Sequence, residues 1–360
     1  MALARFMYSN LITSVSMITV SSLRVGIVTA ALKDGTGSAV LNPSGSYSGT
    51  EDLEYILEID SIAGGAEVGQ ATFKWSDGGG TWDANAVTTS ATNILLNNGV
   101  YVNWTTGSGA DFVVGDKWYF KGINLFSVAN LIDLDRDHRY RAAALGAPNT
   151  FTIDLGAAKE IKVMVLQDHN FTSAATLLLE GDDAATFDSD GGSAQFSEAF
   201  VWNSEKIIHY LSTATTKRHW RISVTDAANT DSYIEVGEIY LGSYMELSKN
   251  YAKGFSQETE FLRKTNVTPF GVARDRFYNF QKTFEFPFEL MLSTDITSLK
   301  ALAASLGSRE TGAFKPFWFN DDSAFPNNCW LVKLDSLPIN NRTQTFYDVP
   351  LTMVEVVASV

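Results

Sequence analysis

The segment Thr150–Asn170, TFTIDLGAAKEIKVMVLQDHN, decides the fold, because it contains two runs in which apolar residues occupy every second position. A period of two buries one face of an extended strand. Between the runs, Asp154 and Gly156 stand where a chain leaving a strand must bend, and glycine accepts backbone angles that a residue with a Cβ resists. The segment therefore predicts two strands joined at the central hairpin or corner of an antiparallel sandwich. The apolar positions are Phe151, Ile153, Leu155, Ile161, Val163 and Val165.

The composition of the whole chain also favours β structure. Charged residues make up 19% of the 360 residues, and the chain contains 8 Trp, 13 Tyr, 23 Phe and 27 Gly. Aromatic residues favour strands and glycine favours turns, so we expect an all-β chain of two or three domains. The formal net charge of −14 opposes the neutralisation of phosphates, and we therefore expect no nucleic-acid partner.

The N-terminal segment, MALARFMYSNLITSVSMITVSS at Met1–Ser22, is apolar but repeatedly interrupted by Ser, Thr and Asn. A signal peptide needs a continuous apolar core, and a membrane span needs about twenty apolar residues. We therefore expect a strand here, with no membrane insertion. The single cysteine, Cys329, excludes an internal disulfide framework, so we expect packing alone to hold the fold.

Residues 39–122 consist of short alternating runs separated by closely spaced turn signals, which is typical of a small β-sandwich or barrel. The glycine-rich run Asp77–Gly80 lacks a following Lys and Ser or Thr, so we interpret it as a hairpin turn rather than a phosphate loop. The segment contains the motifs SGSYSGTEDLEYILEID, ATFKWSDGGGTWD and ADFVVGDKWYF. In these motifs it resembles a small β module that recurs in tail proteins of bacteriophages and prophages.

A second set of motifs, NLIDLD, IDLG, EGDD, WRISV and IEVGEIYLG, follows in this order between Asn130 and Gly242. In their order and spacing they resemble the discoidin, or coagulation-factor C-type, jelly-roll family, which is galactose-binding-like. Domains of this family begin with a strand ending in Ser-Ser, a form that MITVSS at Met17–Ser22 shares. The resemblance implies a jelly roll of residues 1–22 and 123–244, with the small β module of residues 23–122 inserted in an early loop.

Asp133, Asp135 and Asp137 form an alternating acidic run in the jelly-roll region. Many calcium loops supply oxygen ligands from carboxylates separated by one residue, so the run predicts a structural calcium ion. The alternative is a solvated turn or an ion-pair cluster, because Arg136 lies within the run and His138 stands where an EF-hand has glycine. We expect no other metal or cofactor.

Trp202 is the candidate residue for binding a glycan. Relatives in the discoidin family bind glycans or lipid head groups through loops at one end of the sandwich. This sequence has no exposed hydrophobic pair of the kind those loops carry, so the family's binding residues do not transfer one by one. Trp202 is either a stacking platform for a sugar or a core residue, since tryptophan is largely buried on average.

Residues 245–360 have a different character. The segment KTFEFPFELML alternates apolar and polar positions, and the spacing of Ile296, Leu299, Leu302 and Leu306 predicts a helix at about 294–306 that ends at Gly307. FPFELML, PFWFNDD and LTMVEV resemble segments of minor tail proteins of long-tailed bacteriophages. The resemblance implies the β-sandwich with one packed helix that tail-tube, distal-tail and baseplate-hub proteins share.

The sequence contains no catalytic constellation, so we expect no enzyme. The four His show no metal-ligand spacing and no Gly-x-Ser-x-Gly elbow occurs. The resemblances imply a structural virion protein of a phage tail tip or baseplate, made in the host cytoplasm. Its C-terminal domain would dock with other phage tail proteins in an oligomeric ring or hub, and its other domains would project outward toward a host-surface glycan. The alternative is an extracellular carbohydrate-binding adhesin or accessory module outside any virion.

Overall fold

The computed structural model describes residues 3–49, 51–78, 80–146, 148–267, 273–307, 314–343 and 345–357, with side chains for all of these except 263–267 and 273–278. The chain forms two compact units. The larger unit comprises Met1–Ser22 and Asn130–Val360, and the smaller one comprises Leu23–Ala129. The division of the larger unit into a jelly roll and a separate C-terminal domain stays a prediction.

The strands up to residue 123 are β1 (Arg5–Met7), β2 (Ile18–Val20), β3 (Ile27–Val28), β4 (Leu32–Asp34), β5 (Val40–Gly45), β6 (Leu53–Ser61), β7 (Thr72–Ser76), β8 (Ala84–Thr88), β9 (Ile94–Leu95), β10 (Val100–Thr105) and β11 (Lys117–Ile123). The strands up to residue 246 are β12 (Tyr140–Arg141), β13 (Asn149–Gln167), β14 (Thr176–Asp182), β15 (Phe196–Ala199), β16 (Lys206–Thr225), β17 (Glu235–Val236), β18 (Glu238–Gly242) and β19 (Met245–Glu246). The remaining elements are β20 (Ser256–Val267), β21 (Ala273–Met291), the helix α1 (Ser293–Leu306), β22 (Phe317–Asn320), β23 (Cys329–Ser336), β24 (Asn340–Asn341) and β25 (Tyr347–Glu355). Short 3-10 helices cover Val15–Met17 and Val128–Leu131.

The described strands form five sheets, and every pairing between them is antiparallel. The prediction of an all-β chain built from several β-sandwiches is therefore confirmed. Within the described residues, α1 is the only α-helix. No helix in this part of the chain is both long enough and apolar enough to cross a membrane.

The segment Thr150–Asn170 contributes β13 to the sheet ordered β15-β14-β16-β13-β18, which we call the β13 sheet. The predicted hairpin is wrong, because β13 is one continuous strand of 19 residues whose two halves both pair with β16. The alternative prediction, a corner, describes it correctly. β2 pairs with residues 151–153 of β13, and β18 pairs with residues 163–167.

The corner is a bulge that bends the strand without reversing it. Asp154 pairs with His219, and Lys159 pairs with Lys217. An advance of five residues along β13 is therefore matched by only two residues of β16, and the extra residues form the bulge. Asp154 Oδ1 accepts the N–H of Gly156 at 2.8 Å, and Gly156 takes a φ of +73°. The Asp-Leu-Gly sequence thus predicted that the chain bends here, but not that the strand continues after the bend. The strand continues because β16 bends in the same way and pairs with β13 on both sides of the bulge.

The second large sheet of this unit has the order β19-β1-β22-β23-β25-β21-β20, with β24 paired to β25, and we call it the β21 sheet. It departs from the prediction that residues 1–22 belong to the jelly roll, since β1 pairs with β19 and β22. The physical reason is Phe6, which is fully buried with ring centroids 5.0 Å from Phe319 and 6.3 Å from Phe288. The later part of the N-terminal segment joins the β13 sheet, because β2 pairs with β13 and Asn10 forms a bridge to Gly242 at the end of β18.

The helix α1 covers the core of the β21 sheet and lies where the helical spacing predicted one. Its buried apolar residues are Ile296, Leu299, Leu302 and Leu306. Near its N-terminus, the carboxylate of Asp295 accepts the backbone N–H of Ser248 at 2.9 Å and that of Leu292 at 3.2 Å. Asp295 therefore links the start of the helix to the backbone at Ser248. Its negative charge also interacts favourably with the positive end of the helix dipole.

The β13 sheet and the β21 sheet share a buried apolar cluster, which we call the seam. Its members are Met7, Val163, Val165, Tyr240, Trp318, Cys329 and Leu331, from β1, β13, β18, β22 and β23. All of these side chains are at most 3% exposed, so the β13 sheet and the β21 sheet are joined by close packing.

The smaller unit contains a three-stranded sheet, β5-β10-β9, and a six-stranded sheet, β3-β11-β6-β7-β8 with β4 on β11. Residues of both sheets form one core, in which the rings of Phe73, Phe112 and Trp118 surround Trp104 edge to face. Asp116, the carboxylate of the Gly-Asp-x-Trp motif, accepts backbone N–H groups from Thr36 at 2.9 Å and from Val113 at 2.8 Å. These buried hydrogen bonds explain why the motif contains aspartate.

Candidate functional site

A half-open cleft of about 470 Å³ lies beside the seam of the larger unit. Its walls come from the end of β13, the start of β16, residues 279–282 of β21, the start of β23 and the end of β25. The side chains that bear on its chemistry are Arg136, Asp168, Lys206, Lys282, Trp330 and Glu355. The cleft therefore combines an aromatic ring with charges of both signs.

Arg136 and Asp168 neutralise each other in one wall of the cleft. Nε and Nη2 of Arg136 donate to the two carboxylate oxygens of Asp168 at 2.9 and 2.8 Å, which is the bidentate geometry of a strong pair. Nη1 also donates to the carbonyl oxygen of Val356 at 3.2 Å, next to the end of β25. Asp168 follows β13 with a φ of 54°, a left-handed angle that aspartate tolerates better than most residues.

Lys206 stands at the start of β16 with its stem half-buried. Its ammonium group donates a hydrogen bond to the carbonyl oxygen of Cys329 and lies 5.5 Å from the centre of the Trp330 ring. Burial lowers the pKa of Lys206, because a buried ammonium loses its hydration.

Lys282 approaches the same aromatic ring from another strand. Its ammonium nitrogen lies 5.7 Å from the centre of the Trp330 ring, within the range of a cation–π interaction. Trp330 is half-buried, and its ring centre lies 4.8 Å from that of the core residue Phe284, so its position is fixed by packing. Among the described residues, no carboxylate forms an ion pair with Lys206 or Lys282.

Glu355 is a half-buried carboxyl group at the end of β25. Burial raises its pKa, although the charges of Lys282, Arg136 and Lys206 act in the opposite direction. The acid is therefore protonated more readily than an exposed glutamate would be.

His169 also lines the cleft, and its ring is only 8% exposed. Its Nδ1 accepts the backbone N–H of Phe171 at 3.1 Å, and the two rings stack with centres 4.4 Å apart. Burial lowers the pKa of His169 to about 4, so the ring is neutral at pH 7. It supports the turn after β13 rather than adding a charge to the cleft.

Trp202, the predicted glycan residue, lies in the segment before β16 and does not line the cleft. Its indole N–H donates to the carbonyl oxygen of Phe171 at 2.8 Å, and the side chain is half-buried. Part of the ring faces solvent while its only donor is already used. Sugar stacking on Trp202 stays a prediction.

Asp133, Asp135 and Asp137 lie in an exposed turn whose carboxylates bind the local backbone. Asp133 Oδ1 accepts the N–H of Asp135 at 2.9 Å, and Asp135 Oδ1 accepts the N–H of Asp137 at 3.0 Å. Asp133 Oδ2 lies 2.9 Å from Nδ1 of His138, and this hydrogen bond raises the pKa of the histidine. Nowhere in the described chain do three His, Cys, Asp or Glu form a group that could hold a metal ion. The calcium ion stays a prediction.

Glu238, the first residue of β18, is a buried carboxyl group that contacts the same turn. No motif in the sequence singles it out. Its Oε2 accepts the N–H of Leu134 at 3.0 Å, whereas its Oε1 has no hydrogen-bond partner among the described residues. Burial raises the pKa of Glu238 to about 9. Glu238 is therefore protonated at pH 7 and anchors the backbone of the turn at Leu134.

A long hairpin extends from the edge of the β21 sheet. β25 pairs with β21 only from Thr283 onward, so residues 259–267 and 273–282, which we call the arm, have no third described strand beside them. On the arm, Phe261 and Phe280 face each other edge to face with ring centres 5.4 Å apart. Their side chains are 60% and 50% exposed, which is unusual for a pair of aromatic residues.

Three residues of the cleft, Lys206, Lys282 and Trp330, were missed by the sequence analysis. Each occupies an ordinary strand position in the sequence, and the three belong to different strands of two sheets. The only signal in the sequence was the surplus of aromatic residues in residues 245–360, which does not single out Trp330.

No family model matches this sequence, and no curated protein matches it. Among solved structures, the chain is similar to a GH29 fucosidase from Ruminococcus gnavus in complex with fucose, at 17% identity and a TM-score of 0.27, over 34% of this chain and 23% of that one. It is similar to a fucose binding module from Streptococcus pneumoniae, at 12% identity and a TM-score of 0.25, over 32% and 84%. It is also similar to a chitosan-binding module of a Paenibacillus chitosanase/glucanase, at 13% identity and a TM-score of 0.26, over 34% and 88%. The aligned part spans less than a quarter of the fucosidase.

Proposed function

We propose that this chain is a carbohydrate-binding protein without catalytic activity, and that the cleft beside the seam holds the saccharide. The observation that carries the proposal is the half-buried indole of Trp330 among the charged side chains of Lys206 and Lys282. A sugar ring presents an apolar C–H face, which suits an aromatic plane, and a rim of hydroxyls, which suits charged hydrogen-bonding groups. The packing of Trp330 on Phe284 holds the indole in place before any ligand arrives.

The test is binding of the purified full chain to an array of neutral, carboxylated and sulfated oligosaccharides, followed by calorimetric titration of the best ligand. Trp330→Ala removes the proposed platform, and Trp202→Ala is the matched control because it removes a half-buried indole outside the cleft. We expect the Trp330 variant to lose about fivefold or more in affinity, since stacked aromatic contacts are worth about 1 kcal/mol or more. Loss in the Trp202 variant alone would move the site to the segment before β16 and contradict the proposal.

The second candidate function is a structural protein of a phage tail tip, as the sequence resemblances imply. The arm favours it, because an exposed aromatic pair on a strand pair that projects from its sheet suits contact with another protein chain. The partners would be further copies of this chain in a ring or hub and other tail proteins, with the protein located in the virion.

Immunogold labelling of particles purified from the source culture tests this second candidate. Gold clustered at the far end of the tail is the expected result if the chain is a tail-tip protein. Protein found free in the medium, with particles unlabelled, would contradict the virion role and leave the carbohydrate-binding proposal standing alone.

A further inference from the structure

We infer that the cleft selects an acidic saccharide, one that carries a carboxylate or a sulfate group, and that Lys206 and Lys282 receive its negative charge beside the Trp330 ring. This inference rests on the proposed function and names the ligand class of the same site.

The ammonium groups of Lys206 and Lys282 converge on one ring from different strands. Lys206 comes from the start of β16 and Lys282 from β21, and their nitrogens lie 5.5 and 5.7 Å from the centre of the Trp330 ring. A ligand that stacks on this ring would therefore bring its substituents close to two positive charges.

Lys206 and Lys282 are not held in ion pairs, although the charge of Glu355 acts on both of them and that of Glu205 acts on Lys206. Neither ammonium group pairs with a carboxylate of the described residues, whereas Arg136 in the same cleft is already neutralised by Asp168 at 2.8 Å. A partly buried cation that no carboxylate contacts directly is less well compensated than one in an ion pair, so an anionic ligand gains more beside these lysines than beside Arg136.

Both ammonium groups also keep N–H donors for a ligand. An ammonium group has three N–H donors, and Lys206 uses one of them for the carbonyl oxygen of Cys329. Lys282 Nζ donates to none of the described residues. Carboxylate and sulfate oxygens accept several such bonds at once, and these charge-assisted bonds are roughly twice as strong as neutral ones.

The cleft also contains carboxyl groups, which repel an anion unless their charge is offset. Asp168 is held by Arg136, and Glu205 is exposed to solvent, where its charge is screened. Glu355 is the remaining acid, and its burial favours the neutral form. The positive charges of Lys282, Arg136 and Lys206 also offset that of Glu355 when it is ionised.

The test compares three oligosaccharides of equal length and backbone, one neutral, one carboxylated and one sulfated, titrated into the full chain at low, fixed ionic strength. We expect at least one acidic ligand to bind about tenfold more tightly than the neutral one, as charge-assisted bonds predict. The tighter-binding of the two acidic ligands shows whether the cleft prefers a carboxylate or a sulfate group. Equal or tighter binding of the neutral ligand overturns the inference but leaves the proposed function intact, whereas absence of binding to all three overturns both.

Lys282→Gln is the decisive variant, because Lys282 lies on the arm side of the cleft and takes no part in the seam. We expect it to bring the acidic ligands to within about threefold of the neutral one, while Lys282→Arg keeps the preference. Lys300→Gln, at an exposed position of α1, is the matched control and should change nothing. An unchanged preference in Lys282→Gln, with the fold checked by circular dichroism, overturns the inference.

Discussion

The ammonium group of Lys206 donates a hydrogen bond to the carbonyl oxygen of Cys329, which joins the first residue of β16 to the first residue of β23. Because β16 belongs to the β13 sheet and β23 to the β21 sheet, this bond links the two sheets beside the cleft. The same side chain thus supports the architecture and contributes a charge to the proposed binding site.

Lys206→Met tests the structural part of that relationship. Methionine keeps most of the apolar stem but removes the donor and leaves the Cys329 carbonyl without its partner. We expect the free energy of unfolding to fall by about 1–2 kcal/mol, since the lost bond is partly offset by no longer burying an ammonium group. Urea unfolding measures this, with Lys300→Met on the exposed face of α1 as the control. Equal stability of the two variants would mean that the bond contributes nothing to joining the sheets.

Phe6→Ala tests whether the N-terminal strand β1 belongs to the β21 sheet. Phe6 is fully buried and contacts Phe319 with ring centres 5.0 Å apart, so truncation should cost about 3–5 kcal/mol. Phe325→Ala is the control, because that ring is 61% exposed and its loss should change stability by less than about 0.5 kcal/mol. A small effect of Phe6→Ala in urea unfolding would contradict the placement of β1.

His169→Asn tests the buried neutral histidine at the cleft. The pKa of His169 is about 4 in the folded chain and about 6.5 when exposed, so between these pH values the unfolded chain binds more protons. Stability should therefore fall as the pH drops from about 6.5 to 4, by on the order of 2–3 kcal/mol. Asparagine can still accept the Phe171 N–H but does not titrate, so the variant should lose this pH dependence.

The measurement for His169 is the free energy of unfolding of wild type and variant at several pH values within that window. His138→Asn is the control of opposite sign, because the raised pKa of His138 gives stability that is present at low pH and is lost as the pH rises. Parallel pH curves for wild type and His169→Asn would show that His169 is not buried in its neutral form.

A double variant of the arm, Phe261→Ser with Phe280→Ser, tests the second candidate function. Both rings are at least half exposed, so the monomer should keep its stability within about 1 kcal/mol. If the arm contacts another copy of the chain, the variant should be a smaller particle than the wild type by light scattering at the same concentration. The same particle size in both proteins would remove the arm as the contact surface.

Calcium titration tests the acidic turn. If Asp133, Asp135 and Asp137 bind calcium, added calcium should raise the melting temperature of the wild type by mass action. Asp135→Asn should weaken the effect, because it removes a charge from the expected ligand set. A melting temperature that is independent of calcium in both proteins would favour the solvated turn.

Patterns within short stretches of sequence predicted the features that depend on neighbouring residues, namely strands, the helix and the bend. Apolar alternation identified the strands of residues 150–170, and the helical spacing of Ile296, Leu299 and Leu302 identified α1. The turn signal at Asp154 and Gly156 also predicted the bend. Whether that bend reverses the chain depends on the partner strand β16, which lies about fifty residues further on, and no local pattern specifies it.

The candidate site was not predictable from the sequence, because it depends on how distant strands pair. Lys206, Lys282 and Trp330 meet only because β16 and β23 are brought together at the seam. The sequence pointed instead to Trp202, whose indole N–H is taken up by Phe171. The sheet to which β1 belongs could not be predicted for the same reason, because Arg5–Met7 pairs with residues more than two hundred positions away.

The most direct test of the carbohydrate-binding proposal is a crystal structure of the full chain with the tightest-binding oligosaccharide from the array. We predict a sugar ring stacked on the indole of Trp330, with an acidic group within hydrogen-bond distance of Lys206 or Lys282. A saccharide bound elsewhere, with the cleft holding only water, would contradict the account.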